Sequence, residues 1–194
     1  MKKDLNEMTI DELWELFPIV LKEHNPNYKE WYELEKQEII SNINPDYIAR
    51  INHIGSSAVE GLISKPTVDI LLELENDCDV SLVLEDLTAL GWVLMNKESE
   101  PMKLTFNKGY TPDGFADKVY HLHVRYLDDW DELYFRDYLK KHKDAATEYG
   151  KLKLNLQSSF EHDRDRYTDE KTDFIKKYTT IAKSEFKNKY VPKH

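Results

Sequence analysis

The sequence predicts a mixed α/β (α+β) fold, and three observations support this class. Val119–Leu127 (VYHLHVRYL) alternates apolar and polar residues, which is typical of a β-strand with one buried face. Thr67–Leu74 (TVDILLEL) is dense in apolar residues, which is typical of a well-buried strand. From Trp130 onward the apolar residues recur with helical spacing. We therefore expect a mixed β-sheet core with flanking helices and a helical C-terminal third.

The N-terminal region predicts two helices. The first, Thr9–Glu23, begins with Thr9 as N-cap and Glu12 three residues later, which is a capping-box pattern. Its apolar face comprises Leu13, Leu16, Phe17 and Val20. Residues 25–27 (Asn-Pro-Asn) interrupt the pattern. A second helix is then expected from about Tyr28 to Ile43.

The central region predicts strands around one helix. Besides the two strands already named, strands are expected at Tyr47–Ile54, Trp92–Met95 and Lys103–Asn107. Asp79–Leu90 has helical spacing and ends at Gly91. The chain therefore changes from helices to a strand-rich segment before the helical C-terminal third.

The helical third predicts three helices, one starting near Trp130, one over Ala145–Phe160 and one over Asp169–Phe186. With 194 residues the chain is long enough for one domain and short for two. We expect a single domain over residues 1–194, with N-terminal helices at 1–45, an α/β core at 46–128 and a helical region at 129–194.

The charge and composition exclude several classes of protein. Lys and Arg number 27, Asp and Glu number 37, and the net charge is −10. Because a polyanion would be repelled, we expect neither duplex nucleic acid nor a membrane surface as a partner. A hydrophobic content of 40% is too high for a disordered chain. The single cysteine, Cys78, excludes an intramolecular disulfide and a cysteine-rich zinc site.

No apolar stretch approaches the ~20 residues of a membrane-spanning helix. The first residues, MKKDLNEMTIDELWELF, lack the apolar centre of a signal peptide. We therefore expect a cytoplasmic protein, and the sequence leaves its oligomeric state open.

The segment richest in chemistry is His53–Ile70 (HIGSSAVEGLISKPTVDI), in which a short strand ends at Gly55, Ser56 and Ser57. Glycine lets a backbone approach an anion closely. Serine hydroxyls and successive backbone N–H groups can donate to phosphate oxygens. Asp69, near the start of the next strand, could hold Mg²⁺ against that phosphate. The same residues would also suit a purely structural turn.

This segment resembles the signature of the GrpB family, HIGS[TS]-x-V-x-GL-x-x-KP-x-x-DI. Later segments match the family in the same order: YHLHV at 120–124 resembles its His-x-His strand, and FRDYL at 135–139 resembles one of its helix motifs. Two further family motifs are matched by Tyr149, Leu152, Lys153, Asp165, Tyr167, Thr168, Lys171, Phe174 and Ile175. The similarity runs from about residue 24 to residue 180.

The GrpB resemblance implies a nucleotidyltransferase-like fold of the DNA polymerase β superfamily for the core. That superfamily carries Gly-Ser and, after a short gap, an Asp-h-Asp/Glu-h strand, where h is hydrophobic. Here Gly55 and Ser56 are followed, after twelve residues, by Asp69. The position of the second carboxylate holds Leu71. Glu73 lies two residues further along the same strand face, about 6.6 Å away by strand rise.

The resemblance also implies a divalent cation, Mg²⁺ or Mn²⁺, with Asp69 and Glu73 as its candidate ligands. Nucleotidyl transfer usually depends on two such ions, which take oxygen ligands. The later strand offers no third acid, because its polar face carries His121, His123 and Arg125. Asp69 and His123 are the two candidate catalytic residues. His123 could act as a general base or bind a softer metal. It could also be a half-buried strand residue.

Candidate phosphate-binding cations occur in several segments. Lys65 precedes a proline in the signature, and Arg125 shares a strand face with the histidines. The family motifs add Arg136, Lys153 and Lys171, which could close over a triphosphate from the helical side. A salt bridge for Arg125 and a helix-joining role for Arg136 are the structural alternatives.

The leading hypothesis is a nucleotidyltransferase-like protein. It would bind a nucleoside triphosphate or another phosphorylated small molecule with a divalent metal, and transfer a nucleotidyl group to a small molecule or a protein. The alternative is a non-catalytic nucleotide- or phosphometabolite-binding module that has lost part of the metal site, which Leu71 favours. A purely structural or interaction protein is the third possibility.

Overall fold

The computed structural model describes residues 3–193, and its centre is a single mixed β-sheet. The five strands are β1 (Ile48–Ile54), β2 (Val68–Leu74), β3 (Val93–Ser99), β4 (Met102–Thr111) and β5 (Gly114–Tyr126). Their order across the sheet is β1-β2-β5-β4-β3. Strands β2 and β5 run parallel, and the other neighbours are antiparallel. The predicted mixed α/β class is confirmed.

Seven α-helices occur within residues 3–193. They are α1 (Ile10–Leu16), α2 (Tyr28–Asn42), α3 (Val80–Ala89), α4 (Asp131–Lys141), α5 (Lys143–Phe160), α6 (Arg164–Asp169) and α7 (Thr172–Phe186). The helix predicted over 169–186 is α7, which begins three residues later, and the short helix α6 before it lies, except for its last residue, outside the predicted ranges. None of the helices in the described part of the chain is long and apolar enough to cross a membrane.

The first helix is shorter than predicted. Its capping box is present: the Thr9 hydroxyl accepts from the Glu12 backbone N–H at 3.2 Å, and the Glu12 carboxylate accepts from the Thr9 N–H at 2.8 Å. The prediction that the helix reaches Glu23 is wrong. Pro18 disfavours helical backbone at Phe17, whose φ and ψ are −123° and 65°. Phe17 is nevertheless buried, so its apolar character serves an extended segment.

The two faces of the sheet have different surroundings. One face packs against α2 and α3 in the main core, which includes Tyr28, Ile39, Ile70, Leu72, Val83, Leu87, Trp92, Phe106 and Leu122. Because side chains alternate along a strand, Asp69, Leu71 and Glu73 point to the other face. There Leu71 packs with Ile54 and with Leu133 of α4. The face beneath the C-terminal helices therefore carries the polar side chains of β2.

An ion pair between Arg50 and Glu73 joins β1 to β2 on this face. The Glu73 side chain is fully buried, and Arg50 binds it with two hydrogen bonds, from Nε at 2.5 Å and from Nη2 at 2.6 Å. Arg50 also donates to the carbonyls of Asp128 and Tyr190, at 2.8 and 3.3 Å. One guanidinium therefore holds the sheet to the C-terminal third.

Replacing Arg50 with methionine should leave the buried Glu73 carboxylate without its counter-charge. We expect the free energy of unfolding, measured by urea denaturation, to fall by about 3–5 kcal/mol. The double change Arg50→Met with Glu73→Leu should recover most of that loss, because it also removes the buried charge. The control is Lys3→Met, which breaks the exposed pair with Glu12 and should cost less than about 1 kcal/mol. Equal losses in Arg50→Met and Lys3→Met would contradict the assignment.

Candidate functional site

The candidate site is centred on Asp69, the second residue of β2. The carboxylate lies directly against the backbone of Gly55, at the end of β1, where a side chain would collide with Asp69 Oδ2. Gly55 also has a φ of +69°, which favours glycine. The Asp69 side chain is 26% exposed, so it can still meet a ligand. Gly55 is therefore required both by its own conformation and by the position of this carboxylate.

A chain of hydrogen bonds leads from Asp69 across the sheet. His121 is the partner of Asp69 in the parallel β2–β5 register, and its Nδ1 donates to Asp69 Oδ1 at 3.0 Å. On the other side of the ring, Nε2 lies 2.8 Å from the hydroxyl of Tyr110 on β4. With the Nδ1 proton donated to Asp69, Nε2 can accept from the Tyr110 hydroxyl. Arg164 of α6 donates to the same hydroxyl at 3.3 Å.

The imidazoles around Asp69 keep its carboxylate ionised. Burial raises the pKa of Asp69, but the hydrogen bond donated by His121, together with smaller contributions from the neighbouring imidazoles, outweighs burial, so the pKa lies below its usual value. Burial lowers the pKa of His123, and nearby Asp69 only partly offsets this. The site therefore pairs an anionic carboxylate with a His123 ring that burial favours in its neutral form.

Three lysines lie close enough to Asp69 for its charge to affect their pKa, and one arginine lies near two of these lysines; we call these four cations the lysine cluster. They are Lys65 in the loop before β2, Lys153 on α5, Arg164 on α6 and Lys171 immediately before α7. None of the four has a carboxylate within ion-pair distance among residues 3–193. A group of cations without paired anions is the arrangement expected of an anion-binding site.

The cluster is linked to the Gly-Ser-Ser turn. Lys153, only 3% exposed, donates to the Ser56 hydroxyl at 2.8 Å and to the carbonyl of Ile63. Lys65 and Lys171 both lie over the ring of the buried Tyr167, at 5.0 and 4.2 Å from its centroid. The turn at Ser56–Ala58 and the C-terminal helices therefore meet at the predicted phosphate-binding segment.

Burial and mutual repulsion disfavour the charged forms of the lysines. Burial lowers the pKa of Lys65 and of Lys153 to about 7, and that of Lys171 to about 8. Repulsion between members of the cluster adds to each decrease, whereas Asp69 opposes all three. The single carboxylate of Asp69 therefore does not fully balance the positive charge of the three lysines.

The structure corrects the predictions for Glu73 and Arg125. Glu73 is enclosed by its ion pair with Arg50, so it is not open to a metal shared with Asp69. Arg125 pairs with Glu132 at 2.8 Å, and its guanidinium lies 4.5 Å from the centroid of the Trp130 ring. Its charge is therefore used within the fold, as the salt-bridge alternative expected.

Arg136 also has a structural role in place of the predicted ligand contact. Its guanidinium donates to the Asn52 side chain and the His53 carbonyl, both at 3.0 Å, and to the Tyr190 hydroxyl at 2.8 Å. It also donates to Asp137 at 2.8 Å. Arg136 therefore joins α4 to β1 and to the C-terminal segment.

Ser57 and two further residues also differ from the sequence analysis. The Ser57 hydroxyl is buried and lies 3.0 Å from His53 Nε2, so Ser56 alone of the two serines contacts the lysine cluster. Tyr110 and Arg164 belong to the site but had not been predicted. No local pattern marks them, because their neighbours in the site come from distant segments.

The residues around Asp69 do not fit a two-metal centre. No group of three or more His, Cys, Asp and Glu side chains is placed to hold a metal within residues 3–193. Leu71 is fully buried at the position where a second carboxylate would be expected, and Glu73 is paired with Arg50. The residues do fit a single Mg²⁺ or Mn²⁺ ion that brings most of its oxygen ligands as phosphate and water.

Comparison with known sequences finds a matching family model and several bacterial relatives. The family model described as GrpB protein matches residues 18–180. The glutamate-rich protein GrpB of Alkalihalophilus pseudofirmus is 32% identical over 161 residues, which cover 81% of this chain and 91% of that protein. A UPF0157 protein of Pseudomonas aeruginosa is 35% identical over 126 residues. That match covers 64% of this chain and 52% of the relative, so the chain spans about half of that relative's length.

Solved structures give the same result for the fold. The crystal structure of the conserved protein GrpB from Enterococcus faecalis has a TM-score of 0.75 and 27% identity, covering 86% of this chain and 99% of that one. A much weaker similarity, with a TM-score of 0.47 and 11% identity, covers 76% of this chain and 46% of the Cid1 poly(U) polymerase.

The lysine cluster should make folding stability depend on pH. Between pH 7 and 10.5 the unfolded chain keeps lysine protons that the folded chain gives up, so the free energy of unfolding should rise with pH. Lys171→Met should raise the free energy of unfolding by about 1 kcal/mol at pH 7. The same change should make the free energy of unfolding increase less between pH 7 and pH 9.5. The matched control is Lys176→Met, an exposed lysine on α7, which should do neither. Denaturant titrations at the two pH values test this, and a destabilised Lys171→Met variant at pH 7 would contradict it.

Proposed function

The chain belongs to the GrpB family, and we propose that it binds a nucleoside triphosphate or a related phosphorylated small molecule at the lysine cluster. The observation that carries the proposal is the convergence of Lys65, Lys153 and Lys171 near one carboxylate, with Arg164 beside two of these lysines and with no ion-pair partner for any of the four among the described residues. Partly buried cations without an ion-pair partner destabilise the fold unless a bound anion balances their charge. Phosphate oxygens supply that charge and accept several hydrogen bonds at once.

Each part of the site has a use in such a complex. The three lysines and Arg164 neutralise the phosphates, and Ser56 lies within hydrogen-bond distance of Lys153 at the same position. Asp69 would hold Mg²⁺ or Mn²⁺ together with the phosphate oxygens, and the metal would neutralise further phosphate charge. Without a metal, the carboxylate would repel a phosphate. We therefore expect the metal to strengthen binding through Asp69.

Transfer of a nucleotidyl group to a small molecule or protein is a second candidate function. It is favoured by the pair formed by Asp69 and His121, which lies beside the lysine cluster and has one defined proton arrangement. In such a transfer the acceptor hydroxyl would give its proton to a positioned carboxylate such as Asp69 and attack the α-phosphate, and pyrophosphate would leave as its bond to that phosphate breaks. Binding without transfer needs only the lysine cluster, so the two functions can be separated by experiment.

Thermal unfolding with ATP, GTP, CTP and UTP, each with Mg²⁺, Mn²⁺ or EDTA, tests the binding proposal. A nucleotide at one hundred times its Kd should stabilise the folded chain by about 2.7 kcal/mol, a shift of several degrees. The double variant Lys65→Met with Lys171→Met should lose the shift, and Lys97→Met, an exposed change on β3, should keep it. Asp69→Asn should retain metal-free binding and lose the gain from metal. No shift with any nucleotide would overturn the proposal for these ligands.

Transfer is tested with nucleotide labelled at the α-phosphate. Label that becomes attached to an acceptor or to the protein, and that disappears with Asp69→Asn or His121→Phe, would support nucleotidyl transfer. A normal thermal shift without transferred label would support the non-catalytic binding module.

Binding should also take up protons. At pH 8 the lysines whose pKa is about 7 are largely neutral, and a bound polyanion favours their charged forms. Calorimetric titrations with MgATP at pH 8, in buffers of different ionisation enthalpy, should therefore show net proton uptake by the protein. Lys65→Met should reduce that uptake, whereas Lys97→Met should not. Proton release, or no exchange at all, would argue against phosphate contact with these lysines.

A further inference from the structure

A cavity of about 600 Å³ lies beside β1, the edge strand of the sheet, and does not include the lysine cluster. We call it the edge pocket. Its walls come from α2, the end of β1, the turn after β1, the end of α4 and the first residue of α5. Asp69, Lys65, Lys153 and Lys171 are not among its lining residues. It is therefore a separate feature of the molecule.

The edge pocket is cationic although the chain is acidic. Lys29, Lys140 and Lys143 line it from three helices, against two carboxylates, whereas the whole chain carries a net charge of −10. Arg136 also lines the pocket, but its charge is paired with Asp137. None of the three lysines has an ion-pair partner among residues 3–193. Burial lowers the pKa of Lys140, and repulsion from Arg136 adds to the decrease. Positive charge concentrated in one concave region attracts small anions.

A neutral aromatic wall completes the edge pocket. His53 stacks on Tyr32, with ring centroids 5.0 Å apart and planes at 15°, and its Nε2 lies 3.0 Å from the Ser57 hydroxyl. Burial lowers the pKa of His53 to about 4, with Lys140 and Arg136 contributing. The ring is therefore neutral at physiological pH and available for hydrogen bonding or stacking.

The edge pocket adjoins the lysine cluster through two consecutive serines. Ser56 contacts Lys153 of the cluster, whereas Ser57 contacts His53 of the pocket. One short turn thus separates two cationic environments. This arrangement suits two ligands bound side by side.

We propose that the edge pocket binds a second small molecule that carries carboxylate or phosphate groups. Lys29, Lys140 and Lys143 contact its charged groups, and the Tyr32–His53 wall packs against the rest of it. The pocket suits a compact anion, because its cations surround a limited volume instead of forming an extended stripe. This proposal does not depend on the ligand of the lysine cluster.

Calorimetric titration with citrate and with inorganic pyrophosphate tests the proposal, and the two probes distinguish carboxylate from phosphate recognition. The test variant is Lys29→Glu with Lys140→Glu. The matched control, Lys97→Glu with Lys176→Glu, reverses two exposed lysines elsewhere and gives the same net charge. Thermal unfolding without ligand shows whether each variant is folded.

We expect the Lys29/Lys140 variant to bind at least one probe about tenfold more weakly, and the control to stay within about twofold of the wild type. Pyrophosphate can also occupy the lysine cluster, so both probes are titrated against Lys65→Met with Lys171→Met as well. Binding that survives this change and is lost with Lys29/Lys140 would support a second site. Equal affinities in the Lys29/Lys140 variant and its control, or no measurable binding of either probe, would overturn the edge-pocket proposal without affecting the lysine cluster.

Discussion

The carboxylate of Asp69 is the charge on which the arrangement of the site depends. It faces Gly55, because only a residue without a side chain leaves room for it, and it fixes the proton of His121 on Nδ1. It also supplies the negative charge that opposes the decrease in pKa of Lys65, Lys153 and Lys171. The parallel pairing of β2 with β5 places the carboxylate beside His121, so the geometry of the sheet and the electrostatics of the site cannot be separated.

The molecule distributes its charges in two different ways. Arg50 with Glu73, and Arg136 with Asp137 and Asn52, are paired and hydrogen-bonded, and they join the sheet to the C-terminal third. The lysine cluster is left without paired anions, which costs stability in the absence of a ligand. Sites that bind charged ligands commonly lower the stability of the unliganded protein, because their charged groups are positioned to contact the ligand and not one another. The contrast separates the unpaired cations of the lysine cluster from the paired, structural ones.

Local sequence patterns predicted the fold well where the determining contacts are local. The Thr9 capping box and the alternation of 119–127 are local patterns, and both are present in the structure, whereas the first helix ends at Leu16 because Pro18 disfavours helical backbone at the residue before it. The site was harder to predict. The family resemblance singled out Lys153 and Lys171 but also Arg125 and Arg136, and only tertiary structure shows which cations are already paired, as with Arg125 and Glu132. Tyr110 and Arg164 have no local signal, since their partners lie far away in sequence.

The long sequence separations within the site have a consequence for protein synthesis. Ser56 and Lys153 are 97 residues apart, Asp69 and His121 are 52 apart, and Lys171 follows both pairs. A nascent chain that ends before Lys171 contains all five strands but does not yet contain the complete cluster. Ligand cannot therefore stabilise the early intermediates of vectorial folding, and only the nearly finished polypeptide can gain from it. The strand-rich half must therefore be stabilised by its own core while the C-terminal helices are still being synthesised.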